Sequence, residues 1–250
     1  MLLSKMNSHA RDQYIKFYPE PHEYTIYGKK VKKSVTTLVH DYFPSFNAEK
    51  VAKQCFKKAK SNSQSEYINM SVDDILQKWE ANKNNACDLG TVLHETIEKV
   101  YNDQEYENDT KEFSFFLNFY NDFSHLKAYR TEWEVFHEEA NLAGSIDMVF
   151  QNLDGTYSIY DWKRSKKIEK HNRYECGNFP VDHLPHSNFW HYSLQLNIYK
   201  YILEDKYNIY IKDLFLVICH PNNTNYQLLE VPNLQNEVKE IFDLQISPKE

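Results

Sequence analysis

Two strand-like runs joined across Asp154-Gly155 constrain this chain more than any other stretch, because both carry acids near the same end of the hairpin. Leu142 to Gln151 reads as one strand and Tyr157 to Trp162 as the next, and Asp-Gly is a strong signal for the tight turn between them. Side chains alternate along a strand, so Asp161 and Lys163 share one face while Tyr160 and Trp162 take the other. The hairpin brings Asp147 beside Asp161. Two carboxylates at close range repel and call for a cation between them. An oxygen-rich site of this kind suits Mg²⁺ or Mn²⁺. Such an ion polarises a phosphoryl oxygen and acidifies a bound water, and Lys163 can orient that water or neutralise charge developing on the phosphate. The spacing D-x13-D-x-K therefore has the parts that phosphodiester hydrolysis needs.

Around this hairpin the pattern alternates between helix and strand periods. A hairpin is expected from His22 to Val31 about Gly28-Lys29. Short helices follow from Val35 to Tyr42 and from Ala48 to Lys60, and Ser71 with Asp74 forms a capping box for a third. Asp88-Leu89-Gly90 reads as a break, after which helix resumes through Val92, Leu93, Ile97 and Val100. Asp109 with Glu112 caps a helix whose Phe113, Phe116, Leu117, Tyr120 and Phe123 recur at core-facing spacing. Strand Tyr129 to His137 precedes the hairpin. Helix His191 to Tyr207, strands Asp213 to His220 and Tyr226 to Val231, and a terminal helix with Val238, Ile241 and Phe242 come after it. The order is that of an α/β sandwich.

The net charge of −7 looks unsuited to a polyanion partner, but its distribution is uneven. Lys29 to Lys60 holds nine lysines against Asp41 and Glu49, a local +7, and the remaining 20 basic and 34 acidic residues give −14. A basic arm beside an acidic body suits gripping phosphate with one part and holding cations with the other. Cys55, Cys87, Cys176 and Cys219 form no C-x-x-C pair, so no iron–sulfur cluster or zinc ribbon is expected. No apolar run reaches the roughly 18 residues of a membrane span, and Met1 to Lys5 lacks a secretory core, so the expectation is an intracellular protein without membrane contact.

Two helical pairs extend the hairpin's chemistry. His94 and Glu98 lie one turn apart, with Gly90-Thr91-Val92-Leu93-His94 expected to open a helix. Gln195 and Tyr199 are likewise four apart on the later helix. A histidine can complete a mixed nitrogen and oxygen metal site, and Gln195 can reach a phosphate or the attacking water.

Taken in order, G-x-x-x-H, G-x-I-D, D-W-K and Q-x-x-x-Y, from Gly90 to about Leu203, resemble the RecB-type branch of the PD-(D/E)xK nuclease superfamily. This branch includes mitochondrial genome maintenance exonucleases and phage or large-virus exonucleases. The resemblance implies a restriction-endonuclease-like α-β-β-β-α-β core, a central mixed sheet flanked by helices, over residues 71–250, with an N-terminal hairpin and basic helical arm over 1–70. It implies one or two Mg²⁺ or Mn²⁺ ions on His94, Asp147, Asp161 and the main-chain carbonyl of Trp162. Lys163 would be the catalytic lysine, Gln195 and Tyr199 the last motif, and Glu98 and Glu134 accessory acids. Arg164, Lys166, Lys57 and Lys58 would bind substrate, with aromatics such as Tyr129, Trp133, Trp190 or Tyr192 stacking on it. The implied activity is a DNA exonuclease on single strands or DNA ends in replication, repair or recombination, in the cytoplasm, including that of a virus-infected cell or phage host. The Pro-Asp of the superfamily name is absent, since Ile146 precedes Asp147, and so is the cysteine cluster of some members.

Three rivals have a sequence basis. His94-Glu95-Thr96-Ile97-Glu98 resembles a zinc-protease helix with its second histidine replaced, but that leaves Asp161-x-Lys163 without a role. A catalytically inactive DNA clamp of the same fold would not need every catalytic position filled. An RNA endonuclease shares the metal-binding histidine.

Overall fold

The computed structural model describes residues 2–62 and 64–247. They divide into two compact units, one of residues 2–44 with 93–247 and one of residues 45–62 with 64–92. The division does not follow the boundary expected at residue 70. The N-terminal hairpin belongs to the larger unit because Ile15, Tyr24, Ile26 and Val31 are buried in its main core.

In that unit, after a single helical turn α1 (Leu3–Met6), β1 (Ile15–Tyr18), β2 (Glu23–Ile26) and β3 (Lys29–Lys30) form a small antiparallel sheet. A second sheet has six strands: β4 (Lys33–Ser34), β5 (Lys127–His137), β6 (Leu142–Gln151), β7 (Tyr157–Lys163), β8 (Ile211–Ile218) and β9 (Gln227–Glu230). Their order is β4-β6-β7-β8-β9, with β5 on the other edge of β6. The β4–β6 and β7–β8 pairs are parallel and the rest antiparallel, so this is a mixed sheet.

Helices cover both faces. On one, α2 (Val35–Asp41), α6 (Asn188–Lys206) and α7 (Gln235–Ile246) contribute Leu38, Leu194, Ile198, Ile202 and Phe242 to a core that includes Val149 and Ile159. On the other, α4 (Val72–Tyr101) and α5 (Lys111–Asp122) place Leu93, Ile97, Phe113, Phe116 and Phe119 against Met148, Phe150, Tyr160 and Trp162. The aromatic stripe of α5 is therefore core packing. Alternation holds along β7, with Tyr160 and Trp162 in the second core and Ile159 in the first. It breaks on β6, where Ile146 joins the first core although Met148, two residues on, lies in the second. Next to this switch, Glu132 of β5 has φ of 41°, a conformation that non-glycine residues rarely adopt.

The smaller unit comprises α3 (Ala48–Ala59), capped by Asn47, and the first part of α4, capped by the Ser71–Asp74 box. Lys57 and Lys58 are exposed on α3. No described helix is long and apolar enough to cross a membrane.

The break expected at Asp88-Leu89-Gly90 does not occur. Helix α4 runs without interruption for 30 residues, so His94 sits deep in a long helix and not near a helix start. One helical glycine costs roughly 1 kcal/mol relative to alanine, too little to stop a helix otherwise rich in good formers. A Cβ at Gly90 would meet nothing within 4 Å. Gly90→Ala should therefore raise stability by about 0.5–1 kcal/mol, seen as a higher urea midpoint. An unchanged or lower midpoint would mean that Gly90 has a role other than a tolerated helical residue.

Candidate functional site

The site forms where two strands part. Pairing of β6 with β7 runs from Gln151↔Tyr157 to Met148↔Tyr160 and then stops, whereas β7 stays paired with β8 as far as Lys163↔Ile218. Asp147 is the first residue of β6 beyond the paired region, and Asp161 its counterpart on β7. In place of a strand-to-strand bond, Asp147 Oδ2 accepts the Trp162 amide at 2.9 Å.

Helix α4 closes this fork. The Trp162 carbonyl lies 2.9 Å from His94 Nε2, and since a carbonyl only accepts, Nε2 is the donor. The opposite ring nitrogen, Nδ1, faces Asp147 Oδ2 at 3.6 Å and Glu132 Oε1 at 3.7 Å. His94, Glu132 and Asp147 each offer one ligand atom within 4.8 Å of the others. Ser145 donates to the second oxygen of Glu132 at 3.1 Å. Lys163 Nζ lies 2.6 Å from the buried Asp161 Oδ2.

Burial and mutual charge shift these groups. Burial raises the Asp147 carboxyl above the usual range, against the pull of His94 and Lys163. Asp161 is pushed up to about 6 by burial, opposed by Lys163 and reinforced by Asp147. Burial works against protonated His94, yet Asp147 and Glu132 hold its pKa at about 9. Burial likewise opposes the Lys163 ammonium, and Asp161 with Asp147 keeps it above the ordinary lysine value.

The donor set fits a divalent cation. It combines one imidazole nitrogen with carboxylate oxygens, and the imidazole is oriented through its other nitrogen by a main-chain carbonyl, the support that metal-ligating histidines typically have. The structure thus brings His94, Asp147, Asp161 and Lys163 together as the sequence suggested. It gives the Trp162 carbonyl to His94. Glu98 lies near Glu132, which together with burial raises its pKa, and it lines a cavity of about 240 Å³ with Glu132, Glu134 and Arg130.

Sequence reasoning missed Glu132 and named Glu134 instead. The signal was there: His137 and Leu142 flank a short turn, and counting back from that pair sets Glu132 opposite Asp147. Of the other expected residues, Arg164 is taken up in a 2.5 Å ion pair with Glu112, both mostly buried. Lys166 is exposed after β7, and Lys57 and Lys58 belong to the smaller unit. Trp133 is fully buried and cannot stack on a ligand, while Tyr192 has its ring 4.9 Å from Lys163 Nζ.

Gln195 is half-buried and hydrogen-bonds the Tyr199 hydroxyl. Tyr199 is buried, which lifts its pKa above the tyrosine range, and packs on the backbone of Gly144. A Cβ there would lie 2.6 Å from the Tyr199 hydroxyl and 3.1 Å from Val35. The glycine of G-x-I-D and the tyrosine of Q-x-x-x-Y are thus one contact.

No protein-family model matches the chain, and no curated protein does. Among solved structures it is similar to one described as "Crystal structure of SSO0001", at 15% identity over 86% of this chain and 74% of that one, with a TM-score of 0.36. Likeness of that degree carries no argument.

Gly144→Ala should cost about 1–3 kcal/mol through overpacking. Combined with Tyr199→Ala, the loss in urea unfolding should be clearly less than the sum of the two single losses. Simple additivity would show that the two residues are not coupled.

Proposed function

We propose that the chain is a Mg²⁺- or Mn²⁺-dependent nuclease that hydrolyses DNA phosphodiester bonds. The observation that carries this reading is the convergence of His94, Glu132 and Asp147 at a strand fork, with the Asp161–Lys163 pair beside them. The sequence of elements α4, α5, β5, β6, β7, α6, β8 contains the α-β-β-β-α-β order that the resemblance implies, with one added helix, and this supports a restriction-endonuclease-like core.

His94, Glu132 and Asp147 would hold the ion, with the Asp161–Lys163 pair beside them. A bound divalent ion supplies Lewis acidity toward the phosphate and lowers the pKa of water. The protein's own groups do the rest. Trp162 fixes His94 through its carbonyl and Asp147 through its amide, so both point into the fork. Lys163 keeps its proton and can donate to a phosphate oxygen as negative charge builds. Gln195, on α6 and hydrogen-bonded to Tyr199, would orient water or phosphate with the rest of its amide. Exonuclease action on single strands or DNA ends, in replication, repair or recombination in the cytoplasm, follows the resemblance. The zinc-protease reading gains nothing, since Glu95, the base it requires, is exposed.

Labelled single strands, duplexes and closed circles incubated with Mg²⁺ or Mn²⁺ provide the test. Lys163→Ala should lose about 10²–10³ in kcat, and Asp161→Ala should abolish cleavage with native circular dichroism at about 25 °C and a lowered melting temperature. Wild-type rates from Asp161→Ala would refute the proposal. Glu132→Gln should weaken Mn²⁺ binding in calorimetry by at least 10–100-fold, the typical loss for even a supporting group, and unchanged binding would remove Glu132 from the site.

A further inference from the structure

Residues 164–187 connect β7 to α6 without helix or extended strand. Connections this long are uncommon in compact domains and usually functional. This one is fastened along its length. Asn188 donates to the Lys167 carbonyl and accepts from the Glu169 amide, both at 2.8 Å. Trp190 Nε1 donates to the Lys170 carbonyl at 3.0 Å, and Asn172 to that of His186 at 2.8 Å. Farther on, the Asn178 amide donates to the Tyr42 carbonyl at 2.7 Å. Gly177 is packed so closely that a Cβ would lie 2.6 Å from the Val181 carbonyl oxygen.

What this fixed loop presents to solvent is specific. Arg164 is committed to Glu112 and Lys167 to Glu169, and the Lys170 ammonium sits 4.3 Å over the Phe189 ring. Lys166 and Arg173 are exposed, and neither has an ion pair among the described residues. Beside Arg173, Tyr174 is 94% exposed. An exposed ring next to cations without ion pairs is how single strands are gripped, by stacking and by charge.

The loop also has a definite place relative to the fork. It starts at the residue after Lys163, and its anchors Asn188 and Trp190 lie in the first turn of α6, next to Tyr192, whose ring faces Lys163. We propose that this loop is a strand-gripping element for single-stranded nucleic acid entering or leaving the fork, with Lys166 and Arg173 on backbone phosphates and Tyr174 stacked on a base. The choice of ligand rests on the nuclease reading.

The test is fluorescence anisotropy of a labelled oligothymidylate of about 20 nucleotides with metal-free protein, over a series of salt concentrations, so that binding is read without cleavage. Tyr174→Ala should weaken binding about tenfold, and Tyr174→Phe, which keeps the ring, should bind like wild type. Lys166→Ala with Arg173→Ala should reduce the slope of log K against log salt by about 1.4, two phosphate contacts on a single strand. In cleavage with metal, Tyr174→Ala and the double variant should raise KM and spare kcat, Tyr174→Phe should match the wild type, and melting temperatures should be unchanged. Wild-type affinity in Tyr174→Ala and in the double variant, or equal losses from Tyr174→Phe and Tyr174→Ala, would overturn the proposal. If the wild type cleaves DNA while the variants bind as it does, the loop proposal falls and the nuclease reading stands. A wild type that neither binds nor cleaves removes both.

Discussion

Where β6 leaves β7, the Trp162 amide is received by the Asp147 carboxylate, and this one bond organises the site. It lets the strands separate without leaving a buried donor unpaired, which would cost about 1–3 kcal/mol. Because β7 keeps its pairing with β8 through Lys163, the strand that carries Asp161 and Lys163 stays rigid while its neighbour turns away. The Trp162 side chain, on the opposite face, is locked among Phe116, Phe119 and Tyr101. Its backbone therefore serves as a fixed post, with its amide holding Asp147 and its carbonyl holding His94. The second core is thus what gives the site its geometry, and residues of α5 that touch no ligand support it.

The fork gathers charges that would be costly apart. Glu132, Asp147 and Asp161 face His94 and Lys163, and each carboxylate lies near a group of opposite sign. Burial alone would neutralise the acids, as the raised values of Asp147 and Asp161 show, and the same acids hold protons on His94 and Lys163. A negative field strong enough to hold the His94 proton to about pH 9 is also one that favours a cation. Removing one member of such a cluster leaves a buried charge uncompensated, which costs far more than the pair is worth.

The β-period segments were legible in the sequence because residues at single positions decide them. Asp154-Gly155 gave the turn, and alternation put Asp161 with Lys163 and Trp162 with the aromatic core. The helical segments were read less well. Asp88-Leu89-Gly90 suggested a break in α4, yet its cost is small beside the packing of Leu93 and Ile97, which carries the helix onward. Glu132 escaped for a different reason. Its place opposite Asp147 follows from counting the β5–β6 register, but its approach to His94 goes with an unusual backbone angle that local composition does not show. The N-terminal hairpin was recognised but assigned to the wrong body, because alternation shows which face is buried and not what it is buried against.

The motifs that looked like one catalytic signature divide into chemistry and carpentry. Asp147, Asp161, Lys163 and His94 supply charge to the fork. Gly144 and Tyr199, equally prominent in the pattern, meet each other instead, and their contact sets how closely α6 approaches β6 three residues before Asp147. A larger residue at 144 would lift the helix, and with it Gln195 and the first-turn residues that anchor the 164–187 loop. The tyrosine packs on the sheet at Gly144, and the glutamine one turn earlier on α6 is hydrogen-bonded to it. A glycine can therefore be as constraining for the geometry of a site as any of the acids within it.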